Sequence, residues 1–491
     1  MSVLQYPHAA ARRVLVLGVA LVCSMAVVAD VTFTPSGFVV RDGKPRLILG
    51  IYELPADDAL LAQVAESGIN LVSVPGDTAA LDRVQQHGLL AWIPLGGQLA
   101  LPDGDAAAKA NLQATVNTFK DHPALLCWEG PDEALWMQWF ASYDWQMAEQ
   151  PKQLMELIQK ASATHSQEEV ARWSGLLLKG ADYSLRGMWK ESEEAINTLW
   201  KELGSENPKP DLQVTERIQA AERLGDELTR GWESVWAVDK EHVFWQNHAP
   251  CNAVADLRHH NRAVHAAGCD IYPAPFNTGV QHGASLPNLD ITGVGAFTDH
   301  MRAGAPGKAC WMVLQGFGWT DLQDRFNPKD PVNGRQPTYA ETRFMAYDAL
   351  LHGANALLYW GTGYIKKDGA LWSDIMKVCK ELRALEPAIV GAPTPFTPTV
   401  IAETNYTAFN GGDPKLILRQ VEDDWVLIAV NEQRVGIAFQ VAGLPGSLEG
   451  KTLYRLYSDE EHTVEGGGFR DGVVSQGVHV YATARQFEVK L

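Results

Sequence analysis

Short apolar runs recur between residues 46 and 363, and stretches with helical spacing of apolar residues separate them. Several runs are apolar throughout, which is typical of parallel strands covered on both faces. Eight such strands alternating with helices predict an α/β fold, a (β/α)8 TIM barrel. The runs are RLILGIYE, NLVSVPG, LLAWIPLG, ALLCWEG, HVFWQNH, CDIYP, ACWMVLQGF and ANALLYWGTG.

Two features depart from a plain barrel. Asp42-Gly43 lies between two strand-like runs before the first barrel strand and predicts a hairpin turn.

About a hundred residues separate the fourth and fifth runs, far more than one crossover helix needs. Ser166 and Glu169 form a capping box there, and helical spacing continues beyond it. We therefore predict a helical insertion after strand 4, at about 145–240, within a barrel spanning 30–394.

The chain changes character near residue 395. Prolines 387, 393, 395 and 398 mark a boundary. Beyond it, KLILRQVEDDWVLIAVNE, VGIAFQVAG, KTLYRLYS and VHVYATARQFEVKL alternate at strand spacing, with turn residues between them. We predict a C-terminal β-sandwich over 395–491.

The N-terminus has the pattern of an export signal. Arg12 and Arg13 precede the apolar run VLVLGVALVCSMAVVA, and Val27 and Ala29 supply small residues before Asp30. A single membrane anchor is the competing interpretation, but the run is short for a full span. We predict a signal peptide at 1–29 and an exported protein, periplasmic or extracellular, with no stable membrane insertion after its removal.

Charge and cysteine content narrow the function classes. The formal net charge of -18 argues against a nucleic-acid partner, which needs a basic face. The six cysteines are scattered, mostly within apolar runs, and show no metal-binding spacing. We expect buried thiols, with one incidental disulfide left open, no metal site and no cofactor. The oligomeric state is left open.

Candidate site residues lie just beyond the strand ends, where barrels of this type carry their catalytic groups. Carboxylates, amides and aromatic rings dominate there, and Lys and Arg are nearly absent. Sugars suit this mixture, because hydroxyls need donors and acceptors while sugar C–H faces pack on aromatic rings. The predicted set is Tyr52, Glu53, Glu129, Asp132, Glu133, Asn247, Asp270, Tyr272, Gln315, Trp319 and Trp360.

Three acids lie within five residues in HPALLCWEGPDEALW: Glu129, Asp132 and Glu133. Crowding raises the pKa of a carboxyl group, so that it can hold a proton near neutrality. Glycosidic bond cleavage needs such an acid on the departing oxygen and a second carboxylate or base opposite. The chain therefore favours glycoside chemistry.

GKPRLILGIYELP, HPALLCWEGPDEALW, DIYPAPF and RQPTYAETRFMAYDALLHGANALLYWG resemble bacterial glycoside-hydrolase-like barrels, related to the clan that contains β-galactosidases and cellulases. In that clan an Asn-Glu pair closes the fourth strand, and a Glu at the seventh strand end is the nucleophile. The resemblance implies that Glu133 is the general acid/base and that Asp132 replaces the Asn. At the seventh strand this chain has Gln315, and an amide is a poor nucleophile.

Three explanations of Gln315 are open. Asp270, at the sixth strand end, could be the second carboxylate, and we favour it because a strand end is better fixed than a loop. Asp321 or Asp324 could instead reach the site from the loop after Gln315. Otherwise hydrolysis has been lost and only binding retained. Asp132, Glu129, Glu53 and the remaining strand-end residues are predicted to bind substrate. Four of the acids also have a structural alternative: Glu133 could favour the following helix start, Glu129 could be a solvated rim acid, Asp270 could cap its turn and Glu53 could be a salt-bridge partner.

Other chemically suggestive residues have structural interpretations. Glu341 forms a capping box with Thr338, so we assign it to a helix start. His259 and His260 are predicted to lie largely on a solvated helix face, away from the inward stripe, and not to bind a metal. The tryptophans of the insertion are expected to pack rather than to bind ligand: Trp173, Trp189, Trp200, Trp232 and Trp236.

The sequence therefore predicts an exported glycoside hydrolase acting on a carbohydrate, with Glu133 and Asp270 as catalytic residues. Two alternatives from other classes stay open. In the first, the barrel binds carbohydrate without cleaving it. In the second, the chain is a structural or envelope interaction protein that uses the Trp-rich insertion as its contact surface. Fold alone does not separate these three.

Overall fold

The computed structural model describes residues 30–275, 290–322, 334–403 and 413–491. The signal-peptide prediction at 1–29 and the alternative carboxylate Asp324 lie outside these residues. Among the described segments, no helix has the length and apolarity needed to cross a bilayer. Before the barrel stands a three-stranded antiparallel sheet of β1 (Thr32–Phe33), β2 (Val39–Arg41) and β3 (Lys44–Arg46). Asp42 and Gly43 both have positive φ between β2 and β3, which confirms the predicted hairpin.

Eight parallel strands close into a barrel in chain order, with the last hydrogen-bonded to the first. Each corresponds to one of the eight predicted runs, so the (β/α)8 prediction is confirmed. They are β4 (Ile48–Ile51), β5 (Leu71–Ser73), β6 (Leu90–Pro94), β7 (Leu125–Glu129), β8 (Val243–His248), β9 (Ala266–Ile271), β10 (Ala309–Gln315) and β11 (Ala356–Trp360).

Tryptophan rings fill the barrel interior. Trp92, Trp245 and Trp311 come from β6, β8 and β10 and are completely buried. The ring centroids of Trp92 and Trp245 are 6.1 Å apart, and those of Trp245 and Trp311 are 5.8 Å apart. Alternate strands therefore supply one packed layer, as the geometry of this barrel requires.

The helices outside the insertion are α1 (Asp58–Glu66), α2 (Thr78–Gln86), α3 (Ala106–Phe119), α9 (Val254–His260), α10 (Gly293–Gly304), α11 (Tyr339–Leu351), α12 (Ala370–Ala384) and α13 (Glu386–Ile389). Local sequence sets several of their starts. Asp57, Asp77 and Asp105 each accept a backbone N–H bond at the N-terminus of the helix that follows. Thr338 and Glu341 form the predicted capping box at the start of α11.

Between β7 and β8 the chain is helical. The segment contains α4 (Ala134–Asp144), a π-helical turn (Trp145–Glu149), α5 (Gln150–Ala161), α6 (Gln167–Leu185), α7 (Trp189–Glu202) and α8 (Val214–Trp236). Helix α6 starts at the capping box of Ser166 and Glu169. A separate apolar core, which includes Trp145, Trp173 and Trp200, holds α5, α6 and α7 together.

The predicted C-terminal β-sandwich is confirmed. One antiparallel sheet has the order β12-β15-β18, and the other has the order β13-β14-β19-β16-β17. Three of these strands were not predicted because they are short or polar: β12, β17 and β18. The eight are β12 (Thr399–Ala402), β13 (Lys415–Val421), β14 (Asp424–Val430), β15 (Ile437–Ala442), β16 (Thr452–Arg455), β17 (Glu461–Thr463), β18 (Phe469–Val473) and β19 (Val478–Ala482).

The expected position of the histidine pair was partly wrong. His260 is buried, and its Nε2 lies 2.9 Å from the carbonyl oxygen of Ala221 in α8. Burial lowers the pKa of His260 to about 4, so the ring is neutral. His259 is partly exposed. The helix face that the sequence assigned to solvent is covered by α8, which the insertion brings across from a distant part of the chain.

Four cysteines are buried as expected, and Cys251 is half-buried; none of the five described cysteines forms a disulfide. Burial raises the pKa of Cys310 and of Cys379 to about 12, so both thiols are protonated at neutral pH. These side chains are apolar packing elements, and they offer no reactive thiolate.

Candidate active site

The C-terminal ends of the parallel barrel strands meet at one mouth, and the predicted site residues follow from that register. Glu129 ends β7, Asn247 and His248 end β8, and Asp270 lies one residue before the end of β9. Neighbouring strands in the barrel therefore present a carboxyl group, an amide and a second carboxyl group at adjacent positions.

Asn247 links two of the predicted carboxylates. Its Nδ2 atom donates to Asp132 Oδ1 at 2.8 Å and to Asp270 Oδ1 at 2.6 Å. These two oxygens are therefore at most about 5.4 Å apart, the sum of the two contacts. Tyr272 donates its hydroxyl hydrogen to Asp270 Oδ2 at 2.8 Å, so both Asp270 oxygens are fixed in position.

The pKa of Asp270 is raised well above its usual range. Burial is the largest cause, and the nearby carboxylates Asp132 and Glu133 add to it, while the bonds from Asn247 and Tyr272 oppose it. Desolvation and like charge both disfavour the ionised form. Three carboxyl groups therefore act on one another at this mouth, and the cluster favours retention of a proton.

Glu133 immediately precedes α4 and adopts a left-handed backbone conformation, with φ 46° and ψ 28°. That region is unfavourable for a side chain with a Cβ, and such strain concentrates at functional sites. The Glu133 side chain makes no capping hydrogen bond to the start of α4. The helix-start role that Glu341 has at α11 is therefore not the role of Glu133.

Glu129 lies deeper than the other acids. It is 4% exposed, and its two oxygens accept hydrogen bonds from Trp92 Nε1 at 2.9 Å and from the Tyr52 hydroxyl at 3.2 Å. Burial, with a contribution from Asp132, raises the pKa of Glu129 to about 8. Glu129 is thus a buried, largely protonated acid beneath the mouth.

Aromatic rings form a connected group beside the carboxylates. The rings of Tyr272 and Trp360 stack at 5.5 Å, and Phe317 packs edge-on against Trp360 at 5.2 Å. Trp319 and Tyr272 are buried, whereas Trp360 is half-buried and Tyr364 is half-exposed. Phe317 was not among the predicted residues; its place two residues beyond β10 was the available signal.

Gln315, at the seventh strand end, is completely buried. Its amide nitrogen donates to the carbonyl oxygens of Ala274 at 2.6 Å and Phe317 at 3.0 Å, and its oxygen accepts from Ala274 N at 2.9 Å. The side chain therefore ties the segment after β9 to the end of β10. Asp321, an alternative second carboxylate, accepts hydrogen bonds from Gly318 N and Gln336 Nε2.

Glu53 has a partner that the sequence did not indicate. Lys367 forms an ion pair with Glu53 and donates to the carbonyl oxygen of Thr362 at 2.8 Å. Its ammonium also lies 4.0 Å from the ring centroid of Trp372. Lys367 follows β11 by seven residues in a polar loop, and nothing in that loop distinguished it from any solvated lysine.

Two groups among the described residues have metal-ligating side chains within reach of one another: Asp348, His352 and Glu432, and Glu460, His462 and Asp471. In the first, Lys415 Nζ lies 2.6 Å from His352 Nε2. In the second, Arg455 pairs with Glu460 and lies 3.6 Å from Asp471. A basic side chain already supplies the positive charge in each group, so these are ion-pair networks.

The fold is similar to that of several solved structures. A protein described as a glycoside hydrolase aligns over 92% of this chain and 96% of its own, with a TM-score of 0.50 and 12% identity. A catalytic mutant of Gan42B, a GH42 beta-galactosidase from G. stearothermophilus, aligns over 92% of this chain and 99% of its own, with a TM-score of 0.51 and 9% identity. The beta-galactosidase from Bacillus circulans sp. alkalophilus aligns over 90% of this chain and 100% of its own, with a TM-score of 0.50 and 9% identity.

No protein-family model matches the chain, and a search of curated proteins gives no significant match. Identities of 9–12% establish a shared fold rather than a shared activity. The protein thus has the (β/α)8 fold of glycoside hydrolases, with an additional C-terminal β-sandwich. This agrees with the resemblance drawn from the strand-end motifs.

Proposed function

We propose that this protein hydrolyses glycosidic bonds at the mouth of the barrel. The observation that carries the proposal is the carboxyl cluster of Asp132, Glu133 and Asp270, which meets at the ends of neighbouring strands around Asn247. Hydrolysis of a glycoside needs a proton donor and a second carboxylate near the same bond. The glycoside-hydrolase fold of the structural relatives supports the same class of reaction.

In this proposal Glu133 is the general acid and Asp270 the second carboxylate. Glu133 gives its proton to the departing glycosidic oxygen as the bond from that oxygen to the anomeric carbon breaks. A water molecule forms the new bond to the anomeric carbon, and its proton passes to Asp270. The proton that the cluster retains is on Glu133 in this proposal. Asn247 and Tyr272 both donate to Asp270, and these bonds favour its ionised form against the effect of burial. Asp132, Tyr52 and Trp360 are proposed to position the sugar, and the buried Glu129 orients Tyr52 by accepting its hydroxyl hydrogen.

A second function is favoured by Gln315. In the clan that the sequence resembles, the nucleophile occupies this strand end, whereas here an amide is buried and bound to backbone groups. A barrel without a competent second carboxylate would bind carbohydrate and not cleave it. The two proposals differ in whether Asp270 replaces the missing nucleophile or base.

Substitution of the two proposed catalytic residues separates these functions. Glu133→Gln keeps the side-chain size but removes the proton, so we expect kcat/KM on an unactivated glycoside to fall by about a hundred- to ten-thousand-fold. On a nitrophenyl glycoside the kcat/KM of Glu133→Gln should fall much less, because this leaving group needs little protonation. Asp270→Ala should lose activity on both substrates, and added azide should restore part of it. The anomer of the first product, read by NMR, gives the stereochemical course.

Glu341→Gln is the matched control, because the Glu341 carboxylate is held in the capping box of α11 and in an ion pair with Arg335. It should retain near-normal turnover. Full turnover of the unactivated glycoside by Glu133→Gln would contradict the acid assignment. Binding of oligosaccharides by the native protein, with no turnover of any of them, would support the binding function instead.

We also propose that the protein is exported, on the strength of residues 1–29 alone. The paired arginines, the apolar run and the small residues before Asp30 match a cleaved signal. Mass spectrometry of protein recovered from the periplasm or medium should give a mature chain that begins at Asp30. A chain retained in the cell with residues 1–29 intact would contradict export.

A further inference from the structure

A cavity of about 410 Å³ lies within the helical insertion, where α4, α7, α8 and α9 meet. We call it the insertion cavity. Its aromatic and polar lining includes Trp139, Tyr143, Gln146, Trp189, Glu222 and Asp256. This volume is within the range of small-molecule binding sites. Neither the barrel mouth nor the carboxyl cluster uses any of these residues.

The insertion cavity has aromatic rings that are accessible to solvent, unlike several tryptophans elsewhere in the insertion. Trp173, Trp200 and Trp232 are at most 3% exposed and pack as the sequence predicted. Tyr143, in contrast, is 61% exposed, and Trp189 is half-buried at the cavity wall. Leaving large rings accessible forgoes the free energy of burying them, so a cluster of accessible rings marks a binding surface.

Helix α4 presents two of these rings on one face. Trp139 and Tyr143 are four residues apart, so they project from the same side of α4. Gln146 follows in the π-helical turn, and Trp189, the first residue of α7, adds a third ring to the wall. Rings and a terminal amide in one cavity suit a sugar chain, whose C–H faces pack on rings while hydroxyls bond to polar groups.

The charge of the insertion cavity selects among possible ligands. Glu222 and Asp256 both line it, and none of the described residues that line it is basic. Burial raises the pKa of Asp256; His259 opposes that shift and Glu222 adds to it. Carboxylates accept hydrogen bonds from hydroxyl groups but repel anions. Uronic or sulfated sugars are therefore disfavoured, and an alkyl chain would bury these two carboxylates without hydrogen-bond donors.

Helix α4 leads from the proposed catalytic site to the insertion cavity. Glu133 directly precedes this helix, and Trp139 and Tyr143 follow it by six and ten residues. At a rise of 1.5 Å per residue, these rings lie about 9–15 Å from Glu133 along the helix axis. A chain of several sugar units held at the mouth would extend over this distance, and a single sugar unit would not.

We infer that the insertion cavity is a second carbohydrate-binding site, which holds the distal part of a neutral oligosaccharide whose scissile bond lies at the barrel mouth. This inference rests on the proposed function, because it takes the mouth to be a glycan site. It assigns the helical insertion a role in selecting long over short substrates.

Calorimetric titration of the full chain with neutral hexasaccharides of β-linked glucose, galactose, xylose or mannose tests the inference. At least one should bind, and Trp189→Ala or Tyr143→Ala should weaken that binding by about tenfold, the size of one lost ring–sugar contact. Trp189→Phe should restore part of it. Leu178→Ala is the matched control, because Leu178 is 71% exposed on α6 and does not line the insertion cavity.

The same titration contains the outcomes that overturn the inference. Equal affinity of the native chain and both ring variants would exclude the insertion cavity as the distal site, and so would tighter binding of hexagalacturonate than of every neutral chain. Binding of penta-lysine alone would point to a basic peptide ligand and also overturn it. Turnover of a nitrophenyl glycoside by the native chain shows separately whether the proposed hydrolase function holds.

Discussion

At the scale of single residues, Glu129 shows how depth in the barrel changes a carboxyl group. It ends β7 and is enclosed by Trp92 and Tyr52, which both donate to it. Two donors favour the ionised form, yet burial prevails and raises the pKa to about 8. Glu133, only four residues later, is half-buried and has a strained backbone conformation.

The raised pKa of Glu129 predicts a pH-dependent loss of stability. The folded protein keeps this proton up to about pH 8, whereas the unfolded chain releases it near 4.5. Between these values the unfolded state binds fewer protons, so the free energy of unfolding falls as pH rises and levels off above pH 8. Glu129→Gln removes this contribution, so the unfolding free energy of the variant should fall less than that of the native chain between pH 5 and 8. The difference between the two falls should be on the order of a few kcal/mol.

Urea unfolding at pH 5, 6, 7 and 8 measures the difference. Glu341→Gln is the control: burial opposes ionisation there, but hydrogen bonds from Arg335 and Thr338 prevail and lower the pKa of Glu341. The charge of Glu341 stabilises the fold above the unfolded pKa, and that contribution is lost only as pH falls through the lowered value. Glu341→Gln should therefore keep the native pH dependence of unfolding between pH 5 and 8. Parallel pH profiles of the native chain and Glu129→Gln would contradict the buried-acid assignment.

At the scale of elements, the docking of α8 decides how the insertion meets the barrel. Gly231 lies where α8 approaches the barrel side, and a Cβ at this position would come within 1.9 Å of the Leu99 carbonyl oxygen. Such a contact requires the helix to shift. The close approach of α8 also explains why His260 is buried, since the same helix passes over α9.

Replacing Gly231 by Ala should therefore lower the free energy of unfolding, because the overlap is with backbone and costs on the order of 1–3 kcal/mol. For a chain of this length that corresponds to a melting temperature lower by about 1–3 °C. Gly175, in α6, is the matched control: a Cβ there meets nothing within 4 Å. Gly175→Ala should raise stability by about 1 kcal/mol, the difference in helix propensity. Equal effects of the two substitutions would contradict the close docking of α8.

At the scale of the whole molecule, the barrel and the C-terminal sandwich share a core. Val426, Ile428 and Val480, on β14 and β19, belong to the same buried cluster as the barrel strands. Arg343, on α11, pairs with Glu381 and donates to the carbonyl oxygen of Val478 at 2.7 Å. The two units are therefore joined by apolar burial and by a buried ion pair.

We expect one cooperative unfolding transition in calorimetry of the full chain. Arg343→Met should lower its midpoint strongly, because it leaves the completely buried Glu381 without its ionic partner, which costs about 3–5 kcal/mol. Arg470→Met, which removes an exposed ion pair with Glu403, should change the midpoint little. Two separate transitions, only one of them sensitive to Arg343→Met, would show that the units unfold independently.

The sequence by itself determined the features that depend on near neighbours. Apolar runs and helical spacing gave all eight barrel strands, and local polar pairs gave the hairpin at Asp42-Gly43 and the capping boxes of Ser166 and Thr338. These features could be predicted because the interactions that form them span only a few residues. The strand ends likewise directed attention to one mouth, because parallel strands in a barrel share their C-terminal edge.

Tertiary structure alone decided what each of those side chains meets. The amide of Gln315 binds Ala274, Lys367 pairs with Glu53, α8 covers His260, and the insertion cavity forms between helices far apart in sequence. Burial and charge pairing depend on which distant segments pack together, and periodicity contains no such information. Hence the positions of the candidate acids could be predicted, whereas their protonation and partners could not.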